Sequence, residues 1–149
     1  MFPPRLTSAL VAAAFPGRYY ELCKAHSQFV GSCKCPHPEV MRALQGLGEV
    51  KKLGGPGRVY SVRTPGQKTA MDFSFIIKSG NMVELELGFE DLESPNGSNF
   101  AVLAYYANKG AGGPEPYPPY PRPLFNSPSE LREIVSGGLA LSNDVARKL

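Results

Sequence analysis

The apolar positions of this chain change their spacing from one third to the next. Leu6, Leu10, Val11 and Phe15 fall on one face of a short helix, which Pro16-Gly17 is expected to end. Tyr19, Leu22, Cys23 and His26 then follow at i, i+3, i+4 and i+7, predicting further helical turns over RYYELCKAH. Pro38 suits a first helical position; Val40, Met41, Leu44 and Leu47 form the next stripe, and Gly48 stops it. Residues 1–48 therefore read as mainly helical.

From 49 to 90 the period drops to two. EVKKL, RVYSV, MDFSFIIK and MVELELGF are β-branched and aromatic runs separated by GGPG, TPGQKT and SGN. Met71, Phe73, Phe75 and Ile77 share one face of the third run, and Val83, Leu85, Leu87 and Phe89 share one face of the fourth. Both apolar faces coincide only if Ile77 lies opposite Val83, Phe75 opposite Leu85 and Phe73 opposite Leu87. That register leaves Ser79-Gly80-Asn81 as a three-residue loop, whose last position suits a left-handed Asn. It also turns Asp72, Ser74, Glu84 and Glu86 outward, giving the sheet one wet face.

Beyond 98 the pattern is mixed. Phe100, Leu103, Ala104 and Ala107 fit a helix capped by Ser98, whereas Phe100, Val102, Ala104 and Tyr106 fit a strand. The Ala and Leu content and the Asn-Lys-Gly ending favour the helix. Residues 112–123 are a proline-rich connection of polyproline character, expected to lie across its own domain with Tyr117 and Tyr120 packed. SPSELREIV then opens with a capping box: Ser127 is the cap, Pro128 the first position and Glu130 the third. Leu131, Ile134 and Val135 supply its buried stripe, Gly137-Gly138 are expected to break it, and a short last helix runs from Ser142 towards Leu149. The fold expected is a single α+β domain over 1–149. An antiparallel meander of about four to five strands packs against N- and C-terminal helices.

Composition narrows the function classes. At 149 residues, 42% hydrophobic and 19% charged, the chain can build one globular core. A net charge of +3 is too small for the concentrated basic face of a nucleic-acid binder. No apolar run reaches the roughly 18 residues that span a bilayer. The opening MFPPRLTSALVAAAFPG has Pro3, Pro4 and a single Arg5 where a secretory leader wants a basic stretch. Three cysteines, an odd count, point to a reducing cytoplasm. A soluble monomer or homodimer is expected.

Three features carry candidate chemistry. CKAHSQFVGSCKCPH holds every cysteine and histidine of the chain: Cys23, His26, Cys33, Cys35 and His37. A zinc ion wants four such ligands in chelating pairs, but Cys33 and Cys35 are one residue apart. Cys23 and His26 share a stripe with Tyr19 and Leu22, so a packed thiol and a satisfied imidazole explain them as well. No cofactor is expected; zinc is the alternative, with Cys33 and Cys35 as a redox pair or Cys35 as a nucleophile further behind. GGPG at 54–57 lacks the following Lys-Ser/Thr of a phosphate loop.

Charge is segregated. Lys51, Lys52, Arg58, Arg63 and Lys68 cluster in the first hairpin, and Glu84, Glu86, Glu90, Asp91 and Glu93 crowd the last strand and its loop. Neighbouring strands that neutralise one another explain this, as does an acidic docking patch for a protein partner. Aromatic hot spots would be Tyr105, Tyr106, Tyr117 or Tyr120.

The order of N-terminal helices, MDFSFIIKSGNMVELELGF, NFAVLAY and PYPRPLFNSPSELREIVSGGLALSNDV resembles that of small bacterial immunity proteins of polymorphic and contact-dependent toxin systems. The resemblance spans most of the chain and implies a non-enzymatic role: binding a cognate toxin and occluding its active site. That family shares no catalytic motif, so no residue is carried over. Many nuclease inhibitors of the class are strongly acidic, and this chain is +3.

Overall fold

The computed structural model describes residues 2–31 and 33–149. Among them, five strands form one antiparallel sheet in chain order: β1 (Glu49–Lys52), β2 (Arg58–Arg63), β3 (Met71–Lys78), β4 (Met82–Phe89) and β5 (Gly97–Asn99). The β3–β4 register is the one the apolar faces demand, with Phe73 opposite Leu87, Phe75 opposite Leu85 and Ile77 opposite Val83. Asn81 closes the three-residue loop at φ 57°, the left-handed conformation that Asn tolerates.

The described residues also form five helices on the inner side of the sheet, α1 (Pro4–Ala12), α2 (Phe15–Ala25), α3 (His37–Ala43), α4 (Phe100–Gly110) and α5 (Pro128–Lys148). α4 and α5 lie against β3 and β4, and α1 and α2 pack on α4 and α5. Phe100 sits at the centre, its ring 6.1 Å from Phe73, 4.9 Å from Phe15 and 5.7 Å from Tyr19. No helix of the described residues is long and apolar enough to cross a membrane.

Several boundaries depart from expectation for local reasons. Pro16-Gly17 does not end the first helix but lies in the first turn of α2, where proline is tolerated because its missing N–H has no partner to lose. The break falls at Ala14, which turns the chain at φ 54°. α4 is a helix, as the composition favours, but its cap is Asn99, whose Oδ1 accepts from Val102 N at 2.9 Å. Ser98 is instead paired with Leu87 in β5.

The expected break at Gly137-Gly138 is absent. α5 runs unbroken for 21 residues, so there is no separate helix from Ser142. The two glycines are interior positions that let the helix approach the sheet and α2. A Cβ on Gly138 would lie 2.9 Å from Leu85 Cδ1, and one on Gly137 3.3 Å from Leu22 Cδ1. At Gly138 close packing against Leu85 and Phe73 outweighs the roughly 1 kcal/mol that a glycine costs at an interior helix position.

Candidate functional site

The proline-rich connection is tied down at one end. Pro121 O accepts from Tyr19 Oη at 2.6 Å, Pro123 O accepts from Val83 N at 3.0 Å, and Phe125 N donates to Asn81 O at 3.0 Å. Leu124 bridges Met82, so this segment continues the sheet along the part of β4 that β5, paired only with Glu86–Gly88, does not reach. Beside it the Arg122 guanidinium meets Glu84, which Lys78 also contacts. Glu84 is on the outer sheet face, as its register requires, but only 8% exposed. Burial raises its pKa, and the hydrogen bonds and charges of Arg122 and Lys78 outweigh that and hold it below the usual carboxylate range.

At the other end Asn108 Nδ2 donates to Pro114 O at 2.7 Å, and the stretch between the two anchors stands out. Tyr117 is 99% exposed and follows no core packing, contrary to expectation; its bond to Pro118 is cis. Tyr120, 41% exposed, rests its ring 4.9 Å from that of Tyr105, and Tyr105 stands edge-on to Tyr106. The strap is therefore anchored at Gly113–Pro114 and again from Pro121 onward, with Tyr117 standing out between the anchors.

A second segment, which sequence patterns did not single out, stands next to it. After α2 the chain exposes Phe29 by 53% and Val30 by 77%. Asn126 holds this loop from both sides of its amide: Oδ1 accepts from Val30 N at 3.0 Å, and Nδ2 donates to Gln28 O at 2.8 Å. Leu124 N adds a bond to His26 O at 2.8 Å. The signal in the sequence was a pair of large apolar residues outside any helical or strand period.

Between the C-terminal half of α2 and the connection lies a groove of about 230 Å³. Tyr20, Cys23 and Ser27 line one side and Pro116, Pro118 and Pro121 the other, with Lys24 and Tyr117 completing it. The Tyr20 hydroxyl is buried and has no hydrogen-bond partner among the described residues. Burial, with the nearby Cys23 and Glu115, pushes its pKa up to about 12, so it is a neutral donor at physiological pH.

The Cys/His stretch disperses. Cys23 is buried, and desolvation pushes its thiol up to about 12 despite the opposing hydrogen bond with Tyr19 and the charge of Arg122. Cys35 is buried in the core and its thiol is also raised by burial, while its carbonyl accepts from the Arg58 guanidinium. Cys33 is half-buried, and none of the three is in a disulfide. His26 Nε2 lies 3.5 Å from Glu133, and His37 Nδ1 is 3.0 Å from Tyr60 Oη with the two rings stacked. Among the described residues, no three His, Cys, Asp or Glu side chains are grouped as cation ligands.

The acidic run is also divided. Glu84 is covered, Glu86 accepts from Ser74 Oγ at 3.4 Å on the outer face, and Asp91 lies 3.9 Å from Lys68. Glu90 and Glu93 are exposed around the turn after β4. The basic hairpin is partly engaged: Arg63 donates to Met71 O at 2.9 Å, and Lys51 lies 2.9 Å from Glu49. No family model, curated protein or solved structure matches this chain.

Proposed function

We propose that the chain is a non-enzymatic protein-binding domain of the immunity-protein kind, working in a reducing cytoplasm, which neutralises a cognate bacterial toxin by covering its active site. One observation carries the binding role: Phe29, Val30, Tyr117 and Tyr120, four of the large apolar side chains exposed on this protein, lie on the loop after α2 and on the proline-rich connection, whose continuation is tied to the end of α2 by the Leu124 N bond to His26 O. Exposed apolar side chains gathered in one place mark interaction surfaces, and aromatic residues beside a pocket dominate binding energy where they occur. Raised thiols at Cys23 and Cys35 support a non-catalytic reading, because a nucleophilic cysteine needs a depressed pKa or an adjacent base. The docking surface proposed therefore centres on these segments rather than on the acidic strand, where Glu84 is already paired with Arg122 and Lys78.

The test is affinity capture from source cells with the wild type, Phe29→Asp and Tyr117→Asp, followed by assay of the captured protein's activity before and after release. A stoichiometric partner that is inhibited in the complex and lost with either variant supports the proposal. Equal capture by all three, or a partner fully active while bound, sinks it.

A further inference from the structure

We propose that β1, the open edge of the sheet, pairs with β1 of a second copy of this chain. The two strands run antiparallel and are centred on Val50, so that two five-stranded sheets join into one. This pairing is carried by a different part of the fold from the loop after α2 and does not depend on the docking role proposed there.

β1 is hydrogen-bonded to β2 on one side only, and Glu49, Lys51, Lys52 and Leu53 are exposed along it. One bond tells which backbone groups the edge offers. Leu53 N donates to Val59 O at 2.8 Å, and these two residues continue the register that sets Glu49 opposite Arg63 and Lys52 opposite Tyr60. Hydrogen-bonded and non-hydrogen-bonded pairs alternate along an antiparallel ladder. Glu49 and Lys51 therefore turn their N–H and C=O groups to β2, whereas those of Val50 and Lys52 point to the edge. Among the described residues these outward groups meet no backbone partner. The opposite edge presents no such row: β5 has three residues, and Leu124 bridges Met82 further along β4.

Charge selects the occupant and its register. Residues directly opposite in an antiparallel pair lie on one face, so two copies of β1 can be centred on Glu49, Val50, Lys51 or Lys52. Centring on Glu49, Lys51 or Lys52 sets that residue against its own copy, and like charges directly opposite destabilise a pair. Centring on Val50 instead sets Glu49 against Lys51 of the second copy, and Lys51 against its Glu49, on the outer face. Val50 then meets Val50 on the inner face, the side on which it already pairs with core Val62. Its outward N–H and C=O groups bond in both directions, and Lys52 falls opposite Gly48, which adds no side chain.

Lysine on an edge strand ordinarily wards off pairing. Here Lys51 lies 2.9 Å from Glu49 of its own chain, so the outer face of the strand carries matched charges. A uniformly acidic or uniformly basic strand would meet one of them with like charge. The antiparallel complement of Glu-Val-Lys is Glu-Val-Lys itself.

Sedimentation equilibrium of the full chain from about 10 µM to 1 mM, the weak range expected where few residues pair, reads the association. The wild type should form a reversible dimer. Glu49→Lys and Lys51→Glu each turn both cross-strand pairs into like charges and should weaken it at least about tenfold. Both positions are exposed, so melting temperatures should stay close to wild type. An equimolar mixture of the two variants should dimerise again, because their strands oppose unlike charges at both pairs. Hydrogen exchange at the Val50 amide should slow as the wild-type concentration rises, while the Lys51 amide, already bonded to β2, should change little. A wild type that stays monomeric at the top of that range, a dimer indifferent to either reversal, or a mixture that stays monomeric would overturn the proposal. Val50 protection that appears only with a captured partner protein would give the edge to that partner and overturn it as well.

Discussion

Arg122 donates from both Nε and Nη2 to one oxygen of Glu84, at 3.2 and 2.8 Å, while Lys78 approaches the other oxygen at 2.9 Å. A residue that sequence pattern places on a solvated strand face is thereby the pin that fastens the proline-rich connection to β4. Its carboxylate contributes to the fold, and substitutions there report on folding before they report on binding.

Arg122→Ala leaves the covered Glu84 carboxylate with Lys78 alone and should cost about 2–3 kcal/mol, less than the roughly 3–5 kcal/mol of a fully broken buried pair because Lys78 still compensates the charge. For a domain of this size that lowers the melting temperature by about 5–10 °C. The Glu84 carboxyl titrates below its ordinary value in the folded protein. Its stabilisation is then complete above the unfolded pKa, near 4.5, and is lost as pH falls through the lower folded value. Urea unfolding at pH 7, 5, 4 and 3 should show wild type and Glu84→Gln converging on acidification. Parallel curves would remove the proton linkage from the account.

The two glycines of α5 should respond in opposite directions. Gly137→Ala meets only the half-buried Leu22, which can give way, so helix propensity should dominate and raise stability by up to about 1 kcal/mol. Gly138→Ala meets Leu85 Cδ1 at 2.9 Å and Phe73 Cε1 at 3.3 Å, both buried, and should destabilise by about 1–2 kcal/mol. Thermal melts of the two variants check the sign; a stabilised Gly138→Ala would show that the helix–sheet contact is looser than described.

Thiol chemistry should follow burial. With its pKa near 12, Cys23 carries on the order of a thousandfold less thiolate at neutral pH than an ordinary cysteine. Alkylation of the native protein at pH 7.5, read by peptide mass spectrometry, should label half-buried Cys33 first and reach Cys23 and Cys35 only on unfolding. Rapid selective labelling of Cys35 would revive the nucleophile reading.

Asn126 should control the loop that bears Phe29 and Val30. Asn126→Ala removes both amide contacts to that loop and should cost about 1–2 kcal/mol, with faster hydrogen exchange at the Val30 amide. Ser127→Ala, which deletes the cap to Glu130 N at 3.1 Å, should cost about 1 kcal/mol while leaving Val30 exchange unchanged. Equal effects on Val30 would show that the loop is held through α5 as a whole rather than by the Asn126 amide.

The sequence by itself determined the elements whose residues answer to a local period. The β3–β4 register was legible because a slip of one residue would turn Phe73, Phe75, Leu85 and Leu87 to water. The α5 start was legible because Ser127 and Glu130 carry their capping groups within one turn. Of the candidate site, Tyr117 and Tyr120 were named, but with the wrong surroundings, and Phe29 and Val30 were missed. Tertiary structure alone decided these points. Whether Gly137-Gly138 breaks a helix depends on Leu22, Leu85 and Phe73, and whether Glu84 meets water depends on Arg122, 38 residues away. Glycine permits either a bend or a close approach, and a carboxylate permits either solvation or pairing. The choice is made by the groups that long-range packing brings alongside.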